Sequence, residues 1–332
     1  MNLKISRREF SYQLLYLSAF ILTGCSNSQN KLSFCYRKGS LNLNLIRSLP
    51  SSYKKKYLDH KLLAENGSDY INKFDLILLE DGWLNNIDLS RIGKLNLPNI
   101  SEIISSNQNN KKPIYNDSYS NKIFPIGFNP WVIMFKGDRS LKEELLYSWE
   151  PLLDNSLNQK IVFPNSPRLV MSIANRIKKD NSLYKLRKQI KLLNEINAVN
   201  WISFSDYNVA LLPLNYCYKY YLQDQRINII FPKDGVPLNW NYIIKKPNIE
   251  EELISKWINN TLTNLNIVRN ISKGWYAPLS FNLLNQIVKS SEYRLPHFFF
   301  PELEVWEKCW SFNQISLKEK KELETIWNSS FP

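Results

Sequence analysis

Histidine is nearly absent: His60 and His297 are the only two in 332 residues. Neither stands in a metal-ligand spacing, and His297 lies in the apolar run Leu295-Pro296-His297-Phe298, a structural setting. Glycine is also scarce, at 9 residues, and no glycine-rich loop follows a strand to cradle phosphates. No nucleophile elbow is present. Of the 4 cysteines, Cys35, Cys217 and Cys309 lie beyond the first segment, so at most one internal disulfide can form and a disulfide scaffold is excluded. Cys35 sits in an apolar strand-like run, as a buried thiol does. These absences argue against an enzyme, and neither a cofactor nor a metal is expected. Acids are short as well: 30 Asp and Glu against 43 Lys and Arg leave a formal charge of +13. Such a charge raises the question of nucleic acid, which the amino-terminal features argue against.

Those features stand in a fixed order. Ser6-Arg7-Arg8-Glu9-Phe10 resembles a twin-arginine export motif. An apolar run from Tyr12 to Leu22 follows, too short to span a bilayer comfortably. It ends in Leu22-Thr23-Gly24-Cys25, which resembles a lipobox. Residues 1–24 are therefore expected to be a signal peptide, with Cys25 acylated and residues 25–31 a polar tether to the bilayer.

The whole sequence is 44% hydrophobic and 13% aromatic, enough for a substantial core in the remaining chain. Leu32–Tyr36 reads as a strand. Lys54, Lys55, Lys56 and His60 read as a basic surface segment. Lys73–Leu79 ends in a continuous apolar run, typical of a strand covered on both faces. Residues 105–122 are polar, with Asn107–Lys112 an exposed loop. Ile123–Phe135 is extended, with Pro125 and Pro130 holding it so. Ile161-Val162-Phe163 reads as a short buried strand stopped by Pro164. A helix then begins, with Asn165 or Ser166 as cap and Pro167 in first position. Leu183, Leu186, Ile190 and Leu193 recur at helical spacing, predicting one helix over 175–194 with a solvated basic face. Val209–Leu214 and Ile227–Phe231 read as strands. Asn248 is expected to cap a helix whose first turn holds Glu250, Glu251 and Glu252. Ser316 and Glu319 form a capping box before a last helix that turns Leu323, Ile326 and Trp327 inward.

Several of these stretches carry a resemblance. Ser148, Trp149, Leu152, Lys160, Ile161, Pro167, Arg168 and Val170 match the SW-x-x-L…KI…PR-x-V segment of bacterial extracellular solute-binding proteins of the spermidine/putrescine type. Pro232-Lys233-Asp234-Gly235 with Trp240, and Gly274-Trp275-Tyr276-Ala277-Pro278, resemble later motifs of that family. The resemblance implies a two-lobed α/β fold of the type II periplasmic-binding kind. Its sheets would be mixed and mainly parallel, with flanking helices and a cleft between the lobes. Lobe one would take residues 32–126, lobe two 127–240, and the chain would return to lobe one over 241–332. The implied ligand residues are Asp81, Trp83, Asn129, Trp131, Asn165, Ser166, Asn215, Tyr216, Asp234, Trp240 and Tyr242. Partners would be a small solute, an ABC permease and the bilayer through Cys25, the protein itself being a monomer that binds no nucleic acid. Two family acids have no counterpart: Asn165, Ser166 and Leu169 fill the neighbourhood of one, and Tyr242 stands for the other. A neutral or weakly charged solute is therefore expected rather than a polyamine. The alternative is a lipid-anchored interaction protein that keeps the fold without a transported ligand.

Overall fold

The computed structural model of the protein describes residues 32–331, apart from 42, 85–86, 98–120, 138, 195–197, 199, 201 and 203–207. The export motif, Cys25, the tether and the loop Asn107–Lys112 lie outside the described residues. The first elements are β1 (Leu32–Tyr36), α1 (Leu43–Arg47), β2 (Tyr53–Tyr57), α2 (His60–Ile71), β3 (Leu76–Glu80) and the single turn α3 (Asp81–Leu84). Next come β4 (Phe124–Lys136), α4 (Arg139–Tyr147), β5 (Ile161–Pro164), α5 (Pro167–Ile177), α6 (Ser182–Gln189) and β6 (Ile190–Leu193). Then follow β7 (Val209–Pro213), α7 (Leu214–Tyr221), β8 (Ile227–Ile230) and β9 (Pro237–Lys245). The chain ends with α8 (Glu252–Thr261), α9 (Asn264–Ile271), α10 (Phe281–Lys289), α11 (Leu303–Lys308), β10 (Trp310–Ser311) and α12 (Leu317–Ser329).

The strands run in the order β2-β1-β3-β9-β4-β7-β5-β6, with β10 on β9 and β8 on β4. Within each half the pairs β1–β2, β1–β3, β5–β6 and β5–β7 are parallel. Antiparallel pairing belongs to the two long strands that join the halves. The first half of β4, through Pro130, pairs with β9. From Trp131 onward β4 pairs with β7 and β8 instead. One strand thus serves two sheets, and the two α/β lobes meet where it changes partner. Pro125 and Pro130 are tolerated because the first half of β4 has β9 on one side only; its other edge meets the chain at a single bridge, Phe128 with Tyr276. A missing N–H is harmless there. At the bulge beside Pro125 lies Gly127, where a Cβ would stand 2.2 Å from the Trp275 ring.

An aromatic cluster fixes this junction. Phe128 lies 4.7 Å from Trp240, 5.4 Å from Tyr276 and 5.6 Å from Trp306, ring centre to ring centre. Phe128, Trp240 and Tyr276 are fully buried. Gly274 turns with φ +76, and a Cβ there would stand 2.5 Å from the Asn215 backbone nitrogen. Cys35, Cys217 and Cys309 are buried free thiols.

Three local expectations need correction. Residues 175–194 are not one helix. Lys178 and Asn181, both at positive φ, separate α5 from α6, and Ile190–Leu193 leave the helix to pair with β5. The apolar spacing was shared by a helix and the strand after it. Asn248 does not cap α8; it sits at φ 66, Glu251 holds the cap position, and only Glu252 falls in the first turn. Lys54–Lys56 are at the surface as expected, on the exposed part of edge strand β2. On α12, Ile326 faces outward at 48% exposure, while Leu323 and Trp327 are half-buried. The capping box of Ser316 and Glu319 is formed, and Pro167 takes the first position of α5 behind Ser166, whose side chain makes no cap bond.

Candidate functional site

Strands such as β3 end at the edge of their sheet, and the turn that follows offers its side chains to whatever lies beyond. At the end of β3 lie Glu80 and Asp81, the latter opening α3. Across from them β5 ends at Pro164, and Asn165 and Ser166 lead into α5. Between these two ends is a cavity of about 790 Å³. Arg37, Lys38, Glu80, Asp81, Gly82 and Trp83 form one wall; Asn165, Ser166, Arg168 and Leu169 form the opposite wall. Trp131 and Asn239, from the two joining strands, and Tyr216, from α7, complete it.

The carboxylates of the first wall differ in their surroundings. Glu80 accepts from Arg37 Nε at 2.7 Å, and Arg37 Nη2 lies at 2.6 Å from the same oxygen. Both side chains are largely buried, at 13% and 10% exposure. Asp81 is 5% exposed. Its Oδ1 accepts the Gly82 N–H at 2.8 Å and its Oδ2 the Trp240 N–H at 3.4 Å. Burial, with the nearby Glu80 adding to it, pushes the Asp81 carboxyl up to about 7; the two N–H groups and Arg168 oppose the rise. A perturbed acid in a cleft is a recurring mark of a functional site.

The last part of the chain roofs the cavity. Phe312 and Ile315, then Lys320, Leu323, Glu324, Trp327 and Asn328 of α12, all line it. Arginines of the second lobe hold this segment by stacking. Arg187 lies 3.8 Å from the Trp327 ring centre, Arg176 4.4 Å from that of Trp310, and Arg168 5.1 Å from that of Phe312. Arg187 also donates to the Trp327 carbonyl and, at 2.9 Å, to Ser330 Oγ.

Of the expected ligand residues, Asp81, Trp83, Trp131, Asn165, Ser166 and Tyr216 line the cavity; the other five do not. Trp240 is fully buried in the aromatic cluster and donates to Ser311 Oγ at 2.7 Å. Tyr242 is fully buried beside it. Asn129 reaches the Ser40 carbonyl at 3.5 Å, and Asn215 donates to the Gly39 carbonyl at 2.9 Å, so both tie chain segments together. Asp234 lies in the turn before β9. Successive side chains of β9 face opposite sides, so the burial of Trp240 puts Asn239 on the cavity side. The alternation itself was legible in the sequence, but not which face meets the cavity. Arg37 and the α12 residues carried no comparable signal. Among the described residues no three His, Cys, Asp or Glu side chains converge as a metal cage, and no helix is long and apolar enough to cross a membrane.

Two α/β lobes joined by long strands around a side-chain-lined cavity define a two-lobed solute-binding protein. The chain belongs to the bacterial extracellular solute-binding protein family, whose model matches residues 72–300. No curated protein sequence matches the chain. Among solved structures it is similar in fold to a putative spermidine/putrescine ABC transporter protein of Listeria monocytogenes. That match has 15% identity and a TM-score of 0.64, covering 90% of this chain and 98% of that one. The spermidine/putrescine substrate-binding protein PotD of Streptococcus pneumoniae gives 14% identity and 0.62, with 90% and 98% covered. A ferric binding protein of Campylobacter jejuni gives 13% and 0.57, with 90% and 99% covered.

Proposed function

We propose that this protein is the lipid-anchored solute receptor of an ABC-type importer, and that it closes its two lobes on a small solute in the cavity described above. The observation that carries the proposal is the cavity itself. It has the size of a small-molecule site, it lies where both lobes meet, and it sets aromatic rings beside a few polar groups. A fold kept without a ligand would fill its cleft with its own side chains; an open volume of about 790 Å³ favours the receptor. The fold leaves the solute open, since neighbours carry both polyamine and ferric names. Asp81, Trp83, Trp131, Asn165, Ser166 and Tyr216 are the contacts we propose. Strand pairing supports an exchange between lobes near residues 130–131 and a return between Ile230 and Pro237.

The anchor is Cys25, acylated after export. Its support is the order of arginine pair, apolar run and lipobox. Labelled palmitate should enter the wild-type chain and not Cys25→Ala; equal labelling of both removes the anchor.

The receptor is tested by thermal shift on the full-length chain in mild detergent. The panel would hold polyamines, amino acids, sugars, vitamins and metal chelates at millimolar concentration. A solute that binds the folded state raises Tm by mass action. Gly82 lines the cavity and a Cβ there meets nothing within 4 Å. Gly82→Trp should therefore fold, fill the space and abolish the shift. Stabilisation that persists in Gly82→Trp, or none by any solute, would overturn the proposal.

A further inference from the structure

We infer that the solute carries a single cationic nitrogen, seated on the Asp81 carboxylate, and not the two of a linear diamine. This rests on the receptor proposal and adds the charge of its ligand. Asp81 is buried on the cavity wall; among the described residues its hydrogen bonds come from two backbone N–H groups, it forms no ion pair, and Arg168 acts on it only through space. A buried carboxylate with no cation in contact is costly, and Arg168, acting only through space, offsets little of that cost; a ligand cation seated on Asp81 would remove it. The neighbouring Glu80 offers no second seat, because Arg37 already neutralises it.

The rest of the cavity repels a second cation. Lys38, Arg168 and Lys320 all line it. The one further acid, Glu324, is exposed at the roof and shares its helix face with Lys320, four residues before it. Trp83, Trp131 and Trp327 supply rings for the nitrogen and its carbon body. A molecule with an ammonium at one end and a neutral or acidic group at the other therefore matches the two walls.

A pH dependence follows. The groups facing Asp81 are Glu80 with its partner Arg37, the backbone N–H groups of Gly82 and Trp240, and Arg168 from α5. No histidine is among them. Cation binding needs Asp81 ionised, and burial holds its carboxyl up to about 7. The ionised fraction, and with it the apparent affinity, rises about tenfold between about pH 6 and pH 8.

The test uses the full-length chain and four molecules built on a four-carbon skeleton: butylamine, 4-aminobutanoate, putrescine and butanoate. Butylamine or 4-aminobutanoate should give the largest rise in Tm. Its Kd should tighten about tenfold from about pH 6 to pH 8. Asp81→Asn should abolish the binding while the chain still unfolds cooperatively. A larger rise with putrescine or butanoate, or affinity kept in Asp81→Asn, overturns the inference and leaves the receptor intact. The strongest solute of the broad panel is judged alike: one without a cationic nitrogen overturns it. Failure of every solute in both sets instead removes the receptor proposal.

Discussion

Asp81→Asn should change how stability depends on pH, and the size of the effect follows from its surroundings. The wild-type carboxyl titrates at about 7 in the folded protein, against a usual value of 3.8. Between those values the folded state holds a proton that the unfolded chain has released. The folded state therefore binds more protons, and its stability falls as pH rises through that window. A displacement of about three units, at about 1.4 kcal/mol each, makes the loss about 4 kcal/mol by pH 7. Above pH 7 the loss stays constant. Asparagine cannot ionise, and its side-chain oxygen can still accept an N–H. The assay is urea unfolding of wild type and variant from about pH 4.5 to pH 8. Taking the difference cancels every other titrating group. Relative to wild type, Asp81→Asn should gain about 3 kcal/mol between the ends of that range. A flat difference would mean that Asp81 is ordinary and solvated. A difference of opposite sign would mean that a cation already holds it ionised. Either result refutes the account of this wall.

Three further outcomes follow from particular contacts. Removing one member of the Arg37–Glu80 pair strands its partner in a mostly buried setting, so Arg37→Met or Glu80→Gln should each lose about 3–5 kcal/mol in urea unfolding. Arg37→Met with Glu80→Leu should recover most of it, and a double variant as weak as the worse single one would contradict that. Gly127→Ala should cost about 1–3 kcal/mol, because the new methyl meets the Trp275 ring and the Tyr276 carbonyl; an unchanged urea midpoint would show that the junction yields freely. Burial pushes the Cys35 thiol up to about 12 and Cys217 higher still. A thiol reagent at about pH 8 should therefore leave Cys35, Cys217 and Cys309 unlabelled until urea is added, as read by peptide mapping; labelling of any of the three in the folded protein would contradict their burial.

The fold was legible where an apolar run is continuous and bounded. Leu76–Leu79, Ile161–Phe163 and Val209–Leu212 are such runs, and each is a buried strand. Asp81 and Trp83 could be placed in the cavity because they follow a strand of that kind. Trp240 could not be told from Asn239 by residue type. A large aromatic suits both a cleft and a core, and one step along a strand exchanges the two faces. The break after α5 was hidden because Lys178 and Asn181 take positive φ without being glycine. For α12 the sequence gives length, caps and an apolar stripe but not the surface it meets. Its contact with Arg187 joins residues 140 positions apart, through a stacked guanidinium that periodicity does not encode.

The most direct test of the central claim is calorimetric titration of the most stabilising solute into the full-length wild-type chain and into Gly82→Trp. The account predicts one solute bound per wild-type molecule, and no measurable binding to a Gly82→Trp chain that still unfolds cooperatively. Undiminished binding with the cavity filled would place the solute elsewhere and contradict the account.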